Sequence, residues 1–254
     1  MTIVLNENEW AEEMIKSRSL GKRPLETMRR VARYYMDKGV SKKDVRRTLD
    51  AFLLQCEPTA SLPKWSEALD KAVSLAAKYK AINIESIDIT KPEIERIEMI
   101  KGKQTQRLAF TLLCLAKYWI AVNQSFDGWV NQKDSDIMHM ANINTSIKRQ
   151  SQMYHSLIEA GLIHMSRKVD STSVRVCFIE EGEPVMRITD FRNLGNQYMM
   201  YHGAPYFVCV NCGITTKIDN PNVGRRQKYC RSCAAQIDLQ NRINLVMRSR
   251  KTPA

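Results

Sequence analysis

The chain has 254 residues, 44% of them hydrophobic, which is enough for two or three folded units with cores of their own. Lysine and arginine outnumber aspartate and glutamate by 39 to 27, and the formal net charge of +12 favours association with polyanions. No stretch approaches the roughly 18 uninterrupted apolar residues of a membrane helix, and the acidic N-terminal segment lacks a signal-peptide pattern. We therefore expect a soluble, cytoplasmic protein whose paired cysteines bind metal and do not form disulfides.

Residues 1–80 are predicted to form a helical bundle. A first helix should start at Pro24 and end before Gly39, and a second should follow Ser41, which can cap it. A third is expected over residues 63–80. The residues predicted to face the core are Leu25, Met28, Val31, Ala32, Tyr35, Val45, Leu49, Phe52, Leu53, Trp65, Leu69, Val73 and Ala76.

Basic residues are concentrated in two segments. Residues 16–47 hold twelve Lys or Arg against three acids, and residues 217–254 hold nine against two. Both segments suit contact with a polyanion. An ordinary solvated surface also carries such charges, so that interpretation stays open for each segment.

Residues 81–103 are predicted to be a connector. Thr90 can cap a short charged helix near Pro92, and Gly102 interrupts the pattern. From residue 104 the sequence becomes apolar on most faces, which indicates a helix buried between two layers. Cys114 in that helix is interpreted as a small buried side chain, as are Cys56 and Cys177.

An ordered series of signals follows in the segment 104–203. An extended segment over 128–131 precedes a helix over 134–140, a turn over 141–144 and a second helix over 145–160, which Gly161 can stop. The apolar face of the second helix is predicted to consist of Ile147, Tyr154, Leu157 and Ile158.

Two strand-like runs come next, over 162–169 and 173–179, and residues 170–172 can join them as a hairpin. The order helix, turn, basic amphipathic helix and hairpin resembles the winged helix-turn-helix family. The fold class expected is therefore mainly α, with an N-terminal helical bundle, a winged helix-turn-helix with a β-hairpin wing, and a small C-terminal four-cysteine zinc finger.

The winged-helix resemblance implies a set of DNA contacts. Side chains of the second helix and its start would read base edges or bind phosphates, and residues at the wing tip would meet the sugar-phosphate backbone. The helix residues are Asn144, Ser146, Lys148, Arg149 and Gln152, and the wing residues are Arg167, Lys168 and Ser171. Many winged helices serve only as protein-interaction modules, so that alternative is kept.

The four cysteines near the C-terminus form the strongest motif. Cys209 and Cys212 are separated by two residues, as are Cys230 and Cys233, and seventeen residues lie between the pairs. This spacing lets four thiolates close a tetrahedral shell, so it predicts a structural zinc site. A redox disulfide and an iron–sulfur cluster are the competing interpretations, and His202 is a spare ligand.

The segment 204–254 resembles a zinc ribbon or treble-clef finger. Gly213 suits the first tight turn, and a basic C-terminal helix is expected to follow the second cysteine pair. The apolar residues predicted to shelter the metal are Tyr206, Phe207, Ile214, Ala234, Ile237, Ile243 and Val246. Further phosphate contacts are assigned to Arg225, Arg226 and Lys228 in the loop between the pairs.

The segment before the finger, residues 184–201, is predicted to supply a further strand and helix that pack the winged helix and the finger together. The combination of modules resembles regulatory and replication-associated proteins of bacteria, phages and mobile elements. No glycine-rich phosphate loop, nucleophile elbow or catalytic carboxylate pair occurs, so we expect no enzyme.

The leading functional hypothesis is binding of double-stranded DNA in transcription or replication control. The alternative is a non-enzymatic adaptor or inhibitor that binds a polymerase, a helicase or a host-defence protein. A DNA-binding protein should place its basic residues on one surface, whereas an adaptor should expose an apolar patch.

Overall fold

The computed structural model describes residues 3–166, 173–219 and 227–251. The chain divides into two compact units, Thr2–Ser86 and Ile87–Ala254, which are described separately. The described residues are mainly helical with small antiparallel sheets, which confirms the mainly α part of the predicted class. None of the described helices combines the length and apolar composition that crossing a membrane requires.

The N-terminal unit contains four helices within its described residues: α1 (Glu7–Ser17), α2 (Pro24–Asp37), α3 (Lys42–Cys56) and α4 (Leu62–Ala76). Helix α1 has no counterpart among the predicted helices, although its start carries a capping signal. The Asn6 side chain accepts a hydrogen bond from the Glu9 amide at 3.0 Å. The predicted cap of α3 is present, since Ser41 Oγ accepts from the Asp44 amide at 3.3 Å.

The core of this unit follows the predicted apolar pattern with one exception. Met28, Val31 and Ala32 of α2 are completely buried, whereas Leu25 is 48% exposed. Leu25 lies in the first turn of α2, one turn before the buried face begins. The predicted helix over 63–80 also ends earlier, at Ala76, and residues 77–80 are exposed.

Many bases of the segment 16–47 are used inside the unit. Glu7 is 1% exposed, and its carboxylate accepts a hydrogen bond from Arg30 Nε at 3.1 Å and lies 2.8 Å from a terminal nitrogen of Arg33. Carboxylates of this unit pair with Arg23, Arg30, Arg33, Lys38, Arg46 and Arg47. The segment therefore offers a polyanion less free charge than its composition suggests.

The predicted connector 81–103 is divided between the two units. Ile82 and Ile84 exchange backbone hydrogen bonds with residues near the N-terminus, whereas the chain from Ile87 belongs to the C-terminal unit. That part forms β1 (Ile87–Thr90) and α5 (Lys91–Glu98). Its isoleucines at 87, 89, 94 and 97 are buried, which requires a folded structure and not a solvated linker.

The C-terminal unit begins with β1 and α5 and continues to the last described residue. Its remaining elements are α6 (Lys103–Val122), β2 (Trp129–Val130), α7 (Asp134–Met140), α8 (Ile147–Glu159), β3 (Ile163–Met165), β4 (Val174–Val176), β5 (Pro184–Ile188), α9 (Leu194–Tyr201), β6 (Tyr206–Val208), β7 (Thr215–Lys217) and α10 (Arg231–Lys251). The strand and helix predicted within residues 184–201 are confirmed as β5 and α9.

Helix α6 forms the centre of the unit, as its apolar composition predicts. Leu108, Phe110 and Leu113 are completely buried, and α5, α7, α8 and α9 all contact the helix. Lys117 of α6 donates to both carboxylate oxygens of the buried Glu93 at 2.9 Å, so this charged residue of the apolar helix is paired.

Three antiparallel sheets are found among the described strands, ordered β1-β5, β2-β4-β3 and β6-β7. Along and beyond β4, Val174, Val176 and Phe178 are buried while the residues between them face outward.

Cys177 lies between Val176 and Phe178 and is exposed, so its interpretation as a buried side chain is wrong. Cys114 is buried as predicted, and burial raises the pKa of its thiol.

Helix α8 lies within the predicted range, with Ser146 Oγ accepting from the Arg149 amide at 3.3 Å and Gly161 in the left-handed conformation after its end. The assignment of two residues to its buried apolar face is wrong. Ile147 is 81% exposed and Ile158 is 36% exposed, whereas Met153 is buried beside Tyr154 and Leu157. Ile147 is the first residue of the helix, before the turns that pack against α6.

Candidate metal centre

The first cysteine pair is carried by the hairpin of β6 and β7. The Cys209 amide donates to the carbonyl of Ile214 at 3.0 Å, and the Gly213 amide donates to the carbonyl of Cys209 at 2.9 Å. Gly213 has a φ of +73°, a conformation that glycine adopts without steric cost. This tight turn directs both sulfurs toward one point.

The second pair begins immediately before α10. Cys230 precedes the helix and Cys233 lies in its first turn, where the Ala234 amide donates to the carbonyl of Cys230 at 2.9 Å. The two knuckles are tied by a backbone hydrogen bond from Val210 to the carbonyl of Lys228 at 3.0 Å. Two segments distant in sequence thus present their cysteines to each other.

The four sulfur atoms fit a tetrahedral metal site. All lie within 4.8 Å of one another, and the sulfurs of Cys212 and Cys230 are 3.8 Å apart. A zinc–sulfur bond of about 2.3 Å gives a tetrahedron with edges of about 3.8 Å. All four cysteines are free thiols. Cys209, Cys230 and Cys233 are buried and Cys212 is half-buried, so the site is largely closed to water.

Burial and hydrogen bonds move the pKa values of the Cys209, Cys212 and Cys230 thiols in different directions. Burial alone would raise the pKa of Cys209, but backbone amides of Cys230, Cys212 and Asn211 donate to its sulfur and lower the pKa to about 6. Burial raises the pKa of Cys212 to about 12. The Ser232 hydroxyl is the main cause of the lowered pKa of Cys230. A divalent cation among the sulfurs would favour the thiolate at every position.

Only some of the apolar residues predicted to cover the cysteine cluster do so. Ile214 packs against the cysteines, and Tyr206 and Phe207 are half-buried in β6. Ile243 and Val246 are 43% and 49% exposed, so their assignment to the site is wrong. A helix rises about 1.5 Å per residue, which carries Ile243 about 15 Å along the axis from Cys233.

One contact to sulfur is not among the features predicted from the sequence. Asn211 Nδ2 donates to the Cys233 sulfur at 3.3 Å. An amide side chain between the two cysteines of a knuckle is the signal that could have found it. His202 lies 3.6 Å from the Glu98 carboxylate, and the described cluster of ligand atoms contains only the four cysteines.

The residues predicted to bind DNA through the second helix are described and exposed. Arg149 donates to the Gln152 side chain at 3.2 Å, so these two lie side by side on one face. The predicted residues brought together at the start and outer face of α8 are Asn144, Ser146, Lys148, Arg149 and Gln152. The Ser146 hydroxyl is engaged as the helix cap.

The remaining predicted DNA contacts fall mostly outside the described residues. Arg167, Lys168 and Ser171 at the wing tip lie there, as do Arg225 and Arg226 in the loop between the cysteine pairs. Lys228 is described and its side chain is exposed, while its backbone carbonyl ties the two knuckles.

A set of polar side chains beside the metal centre was also missed. Arg192 donates to the carbonyl of Cys212 at 2.5 Å and is held by Asp190. Asn193 and Asn196 both donate to the carbonyl of Thr215. The short helix α9 therefore anchors the hairpin that carries the first cysteine pair.

No protein-family model, curated protein or solved structure matches this chain.

Proposed function

We propose that the protein is a zinc-containing DNA-binding protein that acts in transcription or replication control, in a bacterial, phage or mobile-element system. The observation that carries this proposal is the outer face of α8. Lys148, Arg149 and Gln152 are exposed there together, while Met153 and Leu157 hold the opposite face in the core. A helix so mounted presents donors suited to guanine and adenine edges in a major groove.

The order of elements around α8 supports the proposal. Helix α6 is followed by β2, then by α7 and α8, and then by β3 and β4, with β4 between β2 and β3 in the sheet. This is the order expected of a winged helix, in which the two-helix unit is braced by a small antiparallel sheet. The wing residues assigned from the sequence, Arg167, Lys168 and Ser171, lie outside the described residues, and their contact with phosphates remains part of the proposal.

Zinc is the metal that suits the four-cysteine site best. Its filled d shell tolerates a tetrahedral shell of four thiolates, and a closed shell of this kind leaves no open position for a substrate. We assign Cys209, Cys212, Cys230 and Cys233 as its ligands, in a structural role. In so small a module the free energy of metal binding would also be free energy of folding.

A second candidate function, an adaptor that binds a protein of the replication or transcription machinery, is favoured by the apolar surface of the C-terminal finger. Val210 in the first knuckle is 72% exposed, and Leu239, Ile243 and Val246 follow one another at spacings of four and three along α10. Such a stripe suits a helix-binding partner.

The proposal is tested by measuring DNA affinity across a salt series with a random-sequence duplex pool, single-stranded DNA and RNA. Duplex DNA should bind best, and sequences enriched from the pool should be distinguished from random ones. Arg149→Ala should reduce that discrimination by about 1–3 kcal/mol, since a bidentate base contact is lost.

Arg187→Ala is the matched control, because it removes the same charge from an exposed residue of β5 that pairs with Asp88. It should leave discrimination unchanged. Loss of Lys148, Arg149, Arg167 and Lys168 together should abolish specific binding. If that variant binds duplexes as the unaltered protein does, the DNA hypothesis is wrong and the adaptor becomes the better candidate.

A further inference from the structure

We propose that Asn196 is a positioning residue through which the metal centre holds the turn between α7 and α8 in place. This inference rests on the metal site and on the helix-turn-helix role proposed above. It concerns how metal binding controls the start of α8, which bears Lys148 and Arg149.

On the metal side, Asn196 is bonded to the hairpin that carries the first cysteine pair. Its Nδ2 donates to the carbonyl of Thr215 at 3.0 Å. Thr215 follows Ile214, whose carbonyl accepts from the Cys209 amide at 3.0 Å. The acceptor of Asn196 is therefore one peptide away from the turn that the metal ligands close.

On the other side, the same amide is bonded to the turn after α7. Asn196 Oδ1 accepts a hydrogen bond from Asn142 Nδ2 at 2.7 Å. Asn142 has a φ of +51°, and the Ile143 amide beside it donates to the carbonyl of Met138 at 2.9 Å. Both functions of one side-chain amide are thus used, one toward the turn and one toward the finger.

Helix α9 and the end of α7 are closely packed where Asn196 joins them. At Gly195, the residue before Asn196, an added Cβ would overlap the carbonyl oxygen of Ala141, so α9 touches the end of α7 directly. Asn196 itself is only 3% exposed, which leaves water little access to replace either hydrogen bond. When the hairpin loosens without metal, Asn196 loses its acceptor and the turn loses its support.

Hydrogen exchange of the full-length chain tests the coupling, read at the amides of residues 138–146 with zinc bound and after chelation. In the unaltered protein, chelation should speed exchange of the Ile143 amide by about tenfold, the change expected from loss of one ordinary hydrogen bond. In Asn196→Ala, exchange should be fast with zinc bound, and chelation should add little.

Two further variants keep the test decisive. Asn142→Gly removes the turn side of the contact at an exposed residue and suits the positive φ, so it should fold and reproduce the effect of Asn196→Ala. Gln197→Ala is the control, because the acceptors of Gln197 among the described residues are the carbonyls of Asp190 and Arg192, near its own helix. It should respond to chelation as the unaltered protein does.

The outcomes separate this inference from the proposed function. If the chain binds zinc but chelation leaves the turn unchanged, or changes it equally in Asn196→Ala, the coupling is overturned while the metal site stands. If the chain binds no zinc, both are overturned. Loss of DNA binding by the Arg149 variant does not bear on the coupling, which is read from exchange alone.

Discussion

At the scale of single residues, burial determines whether a charged side chain is paired in the core or lies on the surface. Arg30 is 2% exposed, lies over the ring of Trp10 and pairs with Glu7, which is also buried. Glu7 accepts a further hydrogen bond from the Ile82 amide at 3.2 Å. These two charges therefore belong to the core of the N-terminal unit, although composition alone counts Arg30 with the basic surface.

Replacing Glu7 should destabilise the N-terminal unit strongly. Glu7→Ala leaves Arg30 buried without this carboxylate, and the expected loss in the free energy of unfolding is about 3 kcal/mol. Thermal and urea unfolding of the full chain would measure it. Glu9→Ala is the matched control, since Glu9 lies in the same helix but is exposed. Equal costs for the two variants would contradict the role assigned to Glu7.

At the scale of elements, local signals predicted where helices start better than which face they bury. Ser146 and Gly161 bracket α8 as the sequence indicates, because capping depends on residues within about four positions of the helix end. The apolar face of α8 was assigned partly wrongly because Ile147 and Met153 are both apolar. Only the position of α6 beside the helix decides that Met153 is the buried one.

The four-cysteine element gives a prediction that does not depend on DNA. Purified protein should hold about one equivalent of zinc, and Cys212→Ser should lose it and unfold the hairpin and the start of α10. Cys177→Ser is the control, because Cys177 is an exposed thiol outside the cluster. Metal analysis and circular dichroism would measure both effects. Zinc retained by the Cys212 variant, or iron with visible absorption in the unaltered protein, would refute the assignment.

At the scale of the whole molecule, the division of the chain predicts which fragment folds. The segment 87–103 supplies β1 and α5, and it buries Ile89, Ile94 and Ile97 in the C-terminal unit. A fragment that begins at residue 104 would lose these side chains and the Glu93 carboxylate that pairs with Lys117. A fragment of the C-terminal unit should therefore begin next to Ser86, where the two units meet in the sequence.

Limited proteolysis should cut first between residues 77 and 86, and the fragment 87–254 should unfold cooperatively and bind zinc. The fragment 104–254, made as the control, should unfold at a much lower temperature or fail to fold, because buried apolar surface and a buried ion pair are lost. Calorimetry and zinc analysis of the two fragments would measure this. Equal stability of both would contradict the boundary between Ser86 and Ile87.

The sequence by itself determined the features that depend on neighbouring residues. These are the capped starts of α3 and α8, the apolar composition of α6 and the two cysteine pairs, because caps, helical faces and metal knuckles are built from residues a few positions apart. The tertiary structure decided the rest. Glu7 and Arg30 are 23 positions apart, and Asn142 and Asn196 are 54 positions apart. No local pattern links such pairs, since they meet only when helices distant in sequence pack together and bury their polar groups.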